Sequence, residues 1–544
     1  MDANRKSQFA TRLGVVGGGT MGSGIALAAL LADIPVTLHE ISPEILTRAR
    51  DYIETQLTRK RKAISFKYLR LTQDLANLGD CPVIIEAIPE DLVLKQALFA
   101  NLDRICPKQA ILATNTSTLP VTAIAAATER PERVAGMHFF NPAPVLPLVE
   151  VIRGARTAPE TVTILVRLAE KMGKTPVVAQ DTPGFIVNRV ARPFYGEALR
   201  LLGEGVATHE AIDRIVREGG GFRMGPFELM DLIGIDINFA ATQSIYDQTF
   251  HEPRYRPHWI QAQMVAQKAY GRKTGRGFYE YTGSTNSAAN DQRSTAAGLP
   301  STSNNQHLEV QGLPTGSVFL TPGSWTPGME KICHSAMMSA SKDDFRKIEA
   351  SVAIVSAGRN EGLEQQVRDL DNALLPEIPI LCQCADTTLA EIAAWMVNPE
   401  RLIGFDGLFF ASGQVATLVA SPDLAPTART TAEDFVSALG RTPLWIEDTP
   451  GLILPRIVCT LANEAAFAVG DGVADPETID RAMQLGTNYP KGPLAWAAEL
   501  GYAQVVVVLE HLHAEYGEER YRVAPLLRKW ARQENVKRTY HTRK

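Results

Sequence analysis

"RLGVVGGGTMGSGIALAALLADIPVTLHEISPE", Arg12–Glu44, decides how the first half of this chain folds. Leu13–Val16 is an apolar run of strand length, a helical stretch follows through Leu31, and "PVTLHE" is a second strand-like run ending at Glu40. Gly17, Gly19 and Gly22 stand between the first strand and the helix at GxGxxG spacing. That spacing alone is weak, because glycine-rich turns are common. Set between strand and helix, within about thirty residues of βαβ pattern and with an acid near the expected offset of ~20 residues, it is strong. Gly17 permits the tight turn, Gly19 lets the backbone approach a pyrophosphate, and Gly22 allows the helix to pack closely on the strand. Thr20 and Met21 open the helix, whose unpaired N–H groups and positive dipole end suit phosphate. A carboxylate at Glu40 accepts from adenosine ribose hydroxyls and repels a 2′-phosphate, so NAD is expected rather than NADP. The alternative for Glu40 is an ordinary solvated strand end.

The alternation continues downstream. "CPVIIEAIPE" reads as strand then loop, "DLVLKQALFANLDRIC" as helix, "AILATNTST" as strand and loop, and "RVAGMHFF" as a further strand. Strands alternating with helices imply a parallel, doubly wound sheet, whose ligands sit beyond the C-terminal strand ends. Glu86, Glu90, Asn115, Ser117 and His138 all fall at or just past such ends. A dehydrogenase acting on an alcohol must remove the hydroxyl proton as hydride leaves carbon, and histidine titrates in the right range without help. His138 is the candidate base. A carboxylate must fix its tautomer and stabilise the imidazolium. Glu150 can return to face His138 through the loop "NPAPVLP" and the strand "LVEV". Taken singly, His138 reads equally as a structural histidine and Glu150 as a strand carboxylate; together, after a dinucleotide motif, they read as a site.

Composition bounds the rest. At 544 residues the chain needs several cores, about three to five domains. With 45% hydrophobic and 21% charged residues and a net charge of −5, it has no overall electrostatic case for nucleic acid. "RKRK", Arg59–Lys62, is a local basic run, read either as a solvated helix face or as a contact for a phosphate-rich substrate. Six scattered cysteines show no metal-ligand spacing and read as free thiols, so no metal is expected. No apolar run approaches the ~20 residues of a membrane helix, so a cytoplasmic protein without a membrane partner is expected.

The ordered stretches "GVVGGGTMGSGIA", "IIEAIPEDLVLK", "NTSTLP", "GMHFFNPAPVLPLVEVI", "DTPGFIVNRVARPFYGEA", "GFRMGPFELMDLIGID" and "GRKTGRGFYEY" span the first 283 residues. They resemble an L-3-hydroxyacyl-CoA dehydrogenase of the short-chain-length type. The resemblance implies an NAD cofactor and a 3-hydroxyacyl-CoA substrate, oxidised to the 3-oxoacyl-CoA. It makes His138 the base and Glu150 its orienting partner. It gives Ser117 and Asn188 the reacting oxygen and the thioester side, and Asn141 a supporting role near the histidine. Glu90 and Lys95 would line the nicotinamide and ribose side, with Asn115 among the cofactor contacts. Where the family has a longer helical hairpin over CoA, Asp51–Gln73 is shorter and unusually basic here. From "DTPGFIVNR" onward the pattern turns helical, and in this family that domain closes the cleft and supplies the dimer contact.

Beyond a stretch rich in Ser, Thr, Asn, Ala and Gly, the chain repeats itself. "DTPGFIVNRVARPFYGEALRLLGEGVATHEAIDRIV" is echoed by "DTPGLILPRIVCTLANEAAFAVGDGVADPETIDRAM", pairing Arg189 with Arg456, Glu197 with Glu464 and Asp213 with Asp480. In the second copy Asp406 stands for the histidine, Ala420 falls where the glutamate is expected, and Pro455 replaces Asn188. Residues 317–350 hold no GxGxxG, so the second copy is expected to start from the later part of the fold and to bind no NAD. Its tail is similar to that of the long bacterial 3-hydroxyacyl-CoA dehydrogenases of phenylacetate breakdown, which points to 3-hydroxyadipyl-CoA as well as 3-hydroxybutyryl-CoA.

The expected fold class is α/β plus all-α. A Rossmann-like NAD-binding domain spans 1–184 and a helical domain 185–282. A flexible linker at 283–316 leads to a degenerate, truncated Rossmann-like segment at 317–446 and a second helical domain at 447–544. The two helical domains are expected to pair within the chain as a pseudo-dimer, or the chain forms a homodimer. Two other readings stand beside this one: a dehydrogenase of a free hydroxy acid on the same fold, and a non-catalytic NAD-binding scaffold.

Overall fold

A computed structural model describes residues 12–281, 318–321, 337–338 and 351–542. The expected linker at 283–316 lies outside the described residues. The chain divides into two compact units whose limits cut across the repeats. The first unit comprises Met1–Val190, Asp247–Thr249 and Ala468–Gly492; the second comprises Ala191–Tyr246, Phe250–Phe467 and Pro493–Lys544.

The first unit is built on eight strands: β1 (Leu13–Val16), β2 (Val36–His39), β3 (Leu69–Thr72), β4 (Val83–Glu86), β5 (Ile111–Thr114), β6 (Val134–Phe139), β7 (Leu148–Arg153) and β8 (Thr175–Gln180). Their order is β3-β2-β1-β4-β5-β6-β7-β8. Every neighbouring pair is parallel except β6 and β7, which form an antiparallel hairpin. β1, β4 and β5 are buried along their whole length, as expected of strands covered on both faces. Leu13, Val15, Ile85 and Ala113 pack with the helix Thr20–Leu31 on one face; Ile84, Phe99 and Leu112 pack on the other. Gly22 is obligatory here: a Cβ on it would lie 1.8 Å from the Gly17 carbonyl oxygen.

The second unit carries seven strands: β9 (Val318–Leu320), β10 (Met337–Met338), β11 (Val352–Val355), β12 (Ile380–Gln383), β13 (Leu402–Phe405), β14 (Val415–Ala420) and β15 (Thr442–Ile446). Their order, β10-β9-β11-β12-β13-β14-β15, copies the first sheet with one strand fewer. Here too a single antiparallel pair, β13 and β14, interrupts the parallel run. This corrects the expectation that the second copy begins late in the fold, because β9 and β10 take the places of β1 and β2. Two such short runs, without the glycine motif between them, leave little periodic signal in a sequence.

Pairing also corrects one equivalence. Gly136 sits opposite Ile152 and Gly404 opposite Val419, so the ladder brings Thr417, not Ala420, across from Asp406. Hydrogen-bond register, rather than spacing counted along the chain, decides which side chains face each other. Asp406 has no carboxylate opposite it; its Oδ1 accepts the N–H groups of Leu408 and Phe409 at 3.0 and 3.1 Å, and burial pushes its carboxyl up to about 7. The DTPG turns of both copies share one backbone, with Gly184 and Phe185 at φ 78° and 51° and Gly451 and Leu452 at φ 73° and 54°. Pro455 thus takes the place of Asn188, as the sequence indicates.

Within the second unit the helices Arg192–Gly203 and Leu454–Gly470 meet through buried charge. Arg456 donates to Glu197 at 2.8 Å and to Glu204 at 2.9 Å, and Tyr521 donates to Glu197 at 2.8 Å. Tyr255, the counterpart of Tyr521, donates to Glu464 at 2.5 Å, and Arg254 donates to the same carboxylate at 2.9 Å. The two tyrosines, Tyr521 and Tyr255, thus each bond the other copy's glutamate, the reciprocity of an isologous two-fold contact, here formed inside one chain, while the arginines that join them come from different places in the repeat. Burial opposes the charge on Glu197, and Arg456 and Arg200 hold its carboxyl below the ordinary range.

His511, on the helix Tyr502–Tyr516, is 5% exposed, and neither ring nitrogen meets a hydrogen-bond partner among the described residues. Burial, helped by Arg359 and opposed by Glu391, pushes it down to about 4 from an ordinary 6.5. The unfolded chain therefore binds this proton more readily. The contribution is present above about pH 6.5 and is lost as pH falls through 4, on the order of 3 kcal/mol in all. His511→Leu should flatten the acid limb of stability between pH 4 and 6.5. Urea midpoints taken across that range check it.

Candidate active site

All the first-copy site candidates fall in the first unit, at the C-terminal edge of its sheet. Val16 hands directly to Gly17, whose φ of 103° is the left-handed conformation glycine tolerates; a Cβ there would come within 2.6 Å of the Ala87 carbonyl oxygen. A Cβ on Gly19 would meet nothing within 4 Å, and Gly19 and Thr20 are exposed, with Met21 half-buried behind them. The open space lies over the N-terminus of a twelve-residue helix, which suits a pyrophosphate. Glu40 Oε2 accepts the Gly18 N–H at 2.8 Å and Oε1 accepts the Ser42 N–H at 3.1 Å. The carboxylate is thereby fixed beside the glycine turn with lone pairs left for ribose hydroxyls. Ile41, next to it, is 77% exposed, an apolar side chain beside that carboxylate that no motif in the sequence marks. These residues fit NAD. Glu40→Ala should weaken NADH binding about tenfold, the worth of hydrogen bonds to one charged group, and relax discrimination against NADPH. Fluorescence titration with both cofactors checks it.

The hairpin β6–β7 sets His138 directly opposite Glu150. Nδ1 of His138 lies 2.7 Å from Glu150 Oε2, with His138 5% exposed and Glu150 fully buried. Phe140 and Phe185 flank the imidazole at 4.5 and 6.1 Å between ring centres. With Nδ1–H held by a carboxylate, Nε2 is left as the basic nitrogen. The other oxygen of Glu150 accepts the N–H groups of Ile186 and Val187, at 3.1 and 3.0 Å. One carboxylate therefore orients the imidazole and also caps the single-turn helix Val187–Val190 that carries Asn188. Asn188 Nδ2 donates to the Ser117 carbonyl at 3.2 Å, which brings those two candidates together.

Glu90 gathers the turn after β5. Its Oε1 accepts the Thr116 hydroxyl at 2.6 Å, the Ser117 N–H at 2.9 Å and the Ser117 hydroxyl at 3.3 Å. Burial would raise this carboxyl, but Lys95 and these donors hold it below the ordinary range. Lys95 is 1% exposed and bonds Glu86 at 2.5 Å and Glu90 at 3.3 Å. It is held between the two carboxylates and so supports Glu90, the other residue that the resemblance places on the nicotinamide and ribose side. Asn115 Oδ1 accepts the Phe139 N–H at 2.8 Å and so ties the end of β5 to the backbone beside His138. Asn141 is exposed at the start of the following loop.

Two further supports lie outside the site candidates named from the sequence. Buried Lys174 donates to the Ala143 and Leu146 carbonyls, at 2.5 and 2.8 Å, and clamps the loop between His138 and Glu150. Asp181 accepts the Val121 and Thr122 N–H groups, at 3.0 and 2.6 Å; in the second copy Asp448 does the same for Leu389 and Ala390. The repetition of "DTPG" is the available signal for Asp181; the lysine, on a strand approach with no motif, has none.

Comparison with known proteins agrees with this geometry. The family model for the NAD-binding domain of 3-hydroxyacyl-CoA dehydrogenase matches residues 12–182, and that for its C-terminal domain matches 184–281 and again 451–541. Over 526 residues the chain is 39% identical to 3-hydroxyadipyl-CoA dehydrogenase of Escherichia coli K12, covering 95% of this chain and 96% of that one. It is 43% identical to a probable 3-hydroxybutyryl-CoA dehydrogenase of Bacillus subtilis, over 49% of this chain and 96% of that one. A crystal structure described as 3-hydroxybutyryl-CoA dehydrogenase from Escherichia coli K12 superposes with a TM-score of 0.77 at 37% identity, covering 97% and 99% of the two chains. The chain belongs to the 3-hydroxyacyl-CoA dehydrogenase family, whose reaction is the NAD-dependent oxidation of a 3-hydroxyacyl-CoA to the 3-oxoacyl-CoA.

Proposed function

We propose that His138 is the general base of this oxidation, that Glu150 orients it, and that Ser117 and Asn188 hold the substrate oxygens. NAD, when bound, supplies the hydride acceptor. His138 Nε2 takes the proton of the 3-hydroxyl, and Glu150 stabilises the imidazolium that results. Asn188 and Ser117 fix the substrate, while Phe140 and Phe185 keep water from the imidazole. Gly17, Gly19, Gly22 and Glu40 hold the dinucleotide, with Glu90, backed by Lys95, shaping the turn that bears Ser117. The observation that carries the reading is the buried 2.7 Å contact between His138 and Glu150, in direct cross-strand register.

The substrate is proposed to be a short 3-hydroxyacyl-CoA, with 3-hydroxyadipyl-CoA first among the candidates because the relative matched over nearly the whole chain carries that name. The division into a catalytic copy, residues 1–282, and a copy without chemistry, residues 317–544, is part of the same proposal, with the helical domains paired inside the chain. A cytoplasmic setting accords with the five described cysteines, all unpaired thiols. The test is NADH absorbance on adding the protein to NAD with (S)-3-hydroxybutyryl-CoA and, in parallel, 3-hydroxyadipyl-CoA. Faster turnover of the second places the substrate; faster turnover of the first defeats that part alone. No turnover of either, with NADH still bound, defeats the roles given to these residues.

A further inference from the structure

Residues Ala468–Gly492 come from the second copy, yet they fold into the unit that holds the active site. Three contacts anchor them. The Gln180 N–H at the end of β8 donates to the Val473 carbonyl at 3.0 Å. The helix Pro476–Thr487 packs on β7, β8 and the helix Val187–Val190. Gly486 lies so close that a Cβ on it would approach Leu148 to 2.8 Å and Val187 to 3.1 Å. The third anchor is ionic: Arg189 Nη2 meets Asp471 Oδ2 at 2.6 Å, with the Arg189 side chain 7% exposed and Asp471 53% exposed.

The helix Val187–Val190 has four residues. It leads through Ala191, itself in helical conformation, into the helix Arg192–Gly203, so its free end, which carries Asn188, depends on what else holds it. Glu150 holds its start through Ile186 and Val187, and Asp471 grips Arg189, the residue after Asn188. We propose that Asp471 is a positioning residue for Asn188, acting through Arg189, so that the copy without chemistry completes the site of the copy with it. The proposal rests on the substrate-binding role given to Asn188 above. The repeat supplies its own control. Arg456 and Glu204 form the equivalent pair at 2.9 Å in the second unit, where the residue before the arginine is Pro455 and there is nothing to position.

The test is a double-mutant cycle in the full chain, reading kcat and KM for (S)-3-hydroxybutyryl-CoA, the NADH dissociation constant and Tm. Asp471→Asn should lower kcat roughly threefold to thirtyfold with NADH affinity and Tm near wild type. In an Asn188→Ala background the same change should cost nothing more, since residues acting as a unit are non-additive. Asp471→Glu should recover much of the rate, and Glu204→Gln should leave kcat unchanged. Wild-type kcat in Asp471→Asn, an equal further loss on top of Asn188→Ala, or the same loss from Glu204→Gln would each overturn the proposal. Should Asp471→Asn fail to fold, Arg189→Lys in the same cycle decides by the same criterion. Wild-type turnover by Asn188→Ala would overturn the reading of Asn188 and this inference with it; loss there without loss in Asp471→Asn would overturn this inference alone.

Discussion

Replacing His138 with glutamine should leave NADH binding intact and remove roughly 10²–10⁴-fold of turnover, the usual worth of a positioned general base. Glutamine keeps the volume between Phe140 and Phe185 and can still bond Glu150, but it cannot accept the hydroxyl proton. The cofactor turn at Gly17–Gly22 lies on other strands, so its affinity should not move. Stopped-flow or steady-state NADH formation, with NADH titration alongside, checks both halves. A variant with wild-type turnover would remove His138 from the chemistry.

Glu150 should behave differently according to what replaces it, because its two oxygens do two things. Glu150→Gln keeps a carbonyl oxygen for the Ile186 and Val187 N–H groups but loses the charge that faces His138. Turnover should fall by roughly 10²–10⁴-fold, since a neutral partner neither fixes the tautomer nor stabilises the imidazolium, while Tm stays close to wild type. Glu150→Ala should lose turnover as well and also leave two buried N–H groups without an acceptor, costing about 1–3 kcal/mol for each group so stranded. Urea denaturation of the two variants separates the roles. Equal stability in both would show that the cap on the helix Val187–Val190 is of no consequence.

Much of this site is legible in the sequence, and the reasons are local. Gly17 and Gly22 are forced by close backbone approach that no other residue meets, and Gly19 leaves open the space over the helix N-terminus, so spacing and flanking pattern suffice. His138 and Glu150 lie on one hairpin, twelve positions apart, and a hairpin is a short-range object. Lys95 shows where the local argument ends. Its place in a motif resembles a cofactor contact, but its burial between Glu86 and Glu90 is visible only in the structure, because packing fixes which way a lysine on a helix points. Lys174 is the opposite case, a support with no motif, visible once the loop carbonyls of Ala143 and Leu146 are seen to converge on it.

The second copy divides the same way. That Pro455 lacks the side-chain amide of Asn188 follows from the residue alone, as does the exchange of a histidine for Asp406. That Thr417 faces Asp406 needed the hydrogen-bond ladder. By itself the sequence determined the dinucleotide turn and the pairing of His138 with Glu150, which rest on contacts between residues near in the chain, and the family and the duplication, which rest on the likeness of one stretch to another. Only the tertiary structure decided that Ala468–Gly492 belongs with the first sheet, that Arg456 answers Glu197, and that one glutamate serves both a histidine and a helix. Those contacts join residues tens to hundreds of positions apart, and burial and charge pairing, which choose such partners, leave no period along the chain.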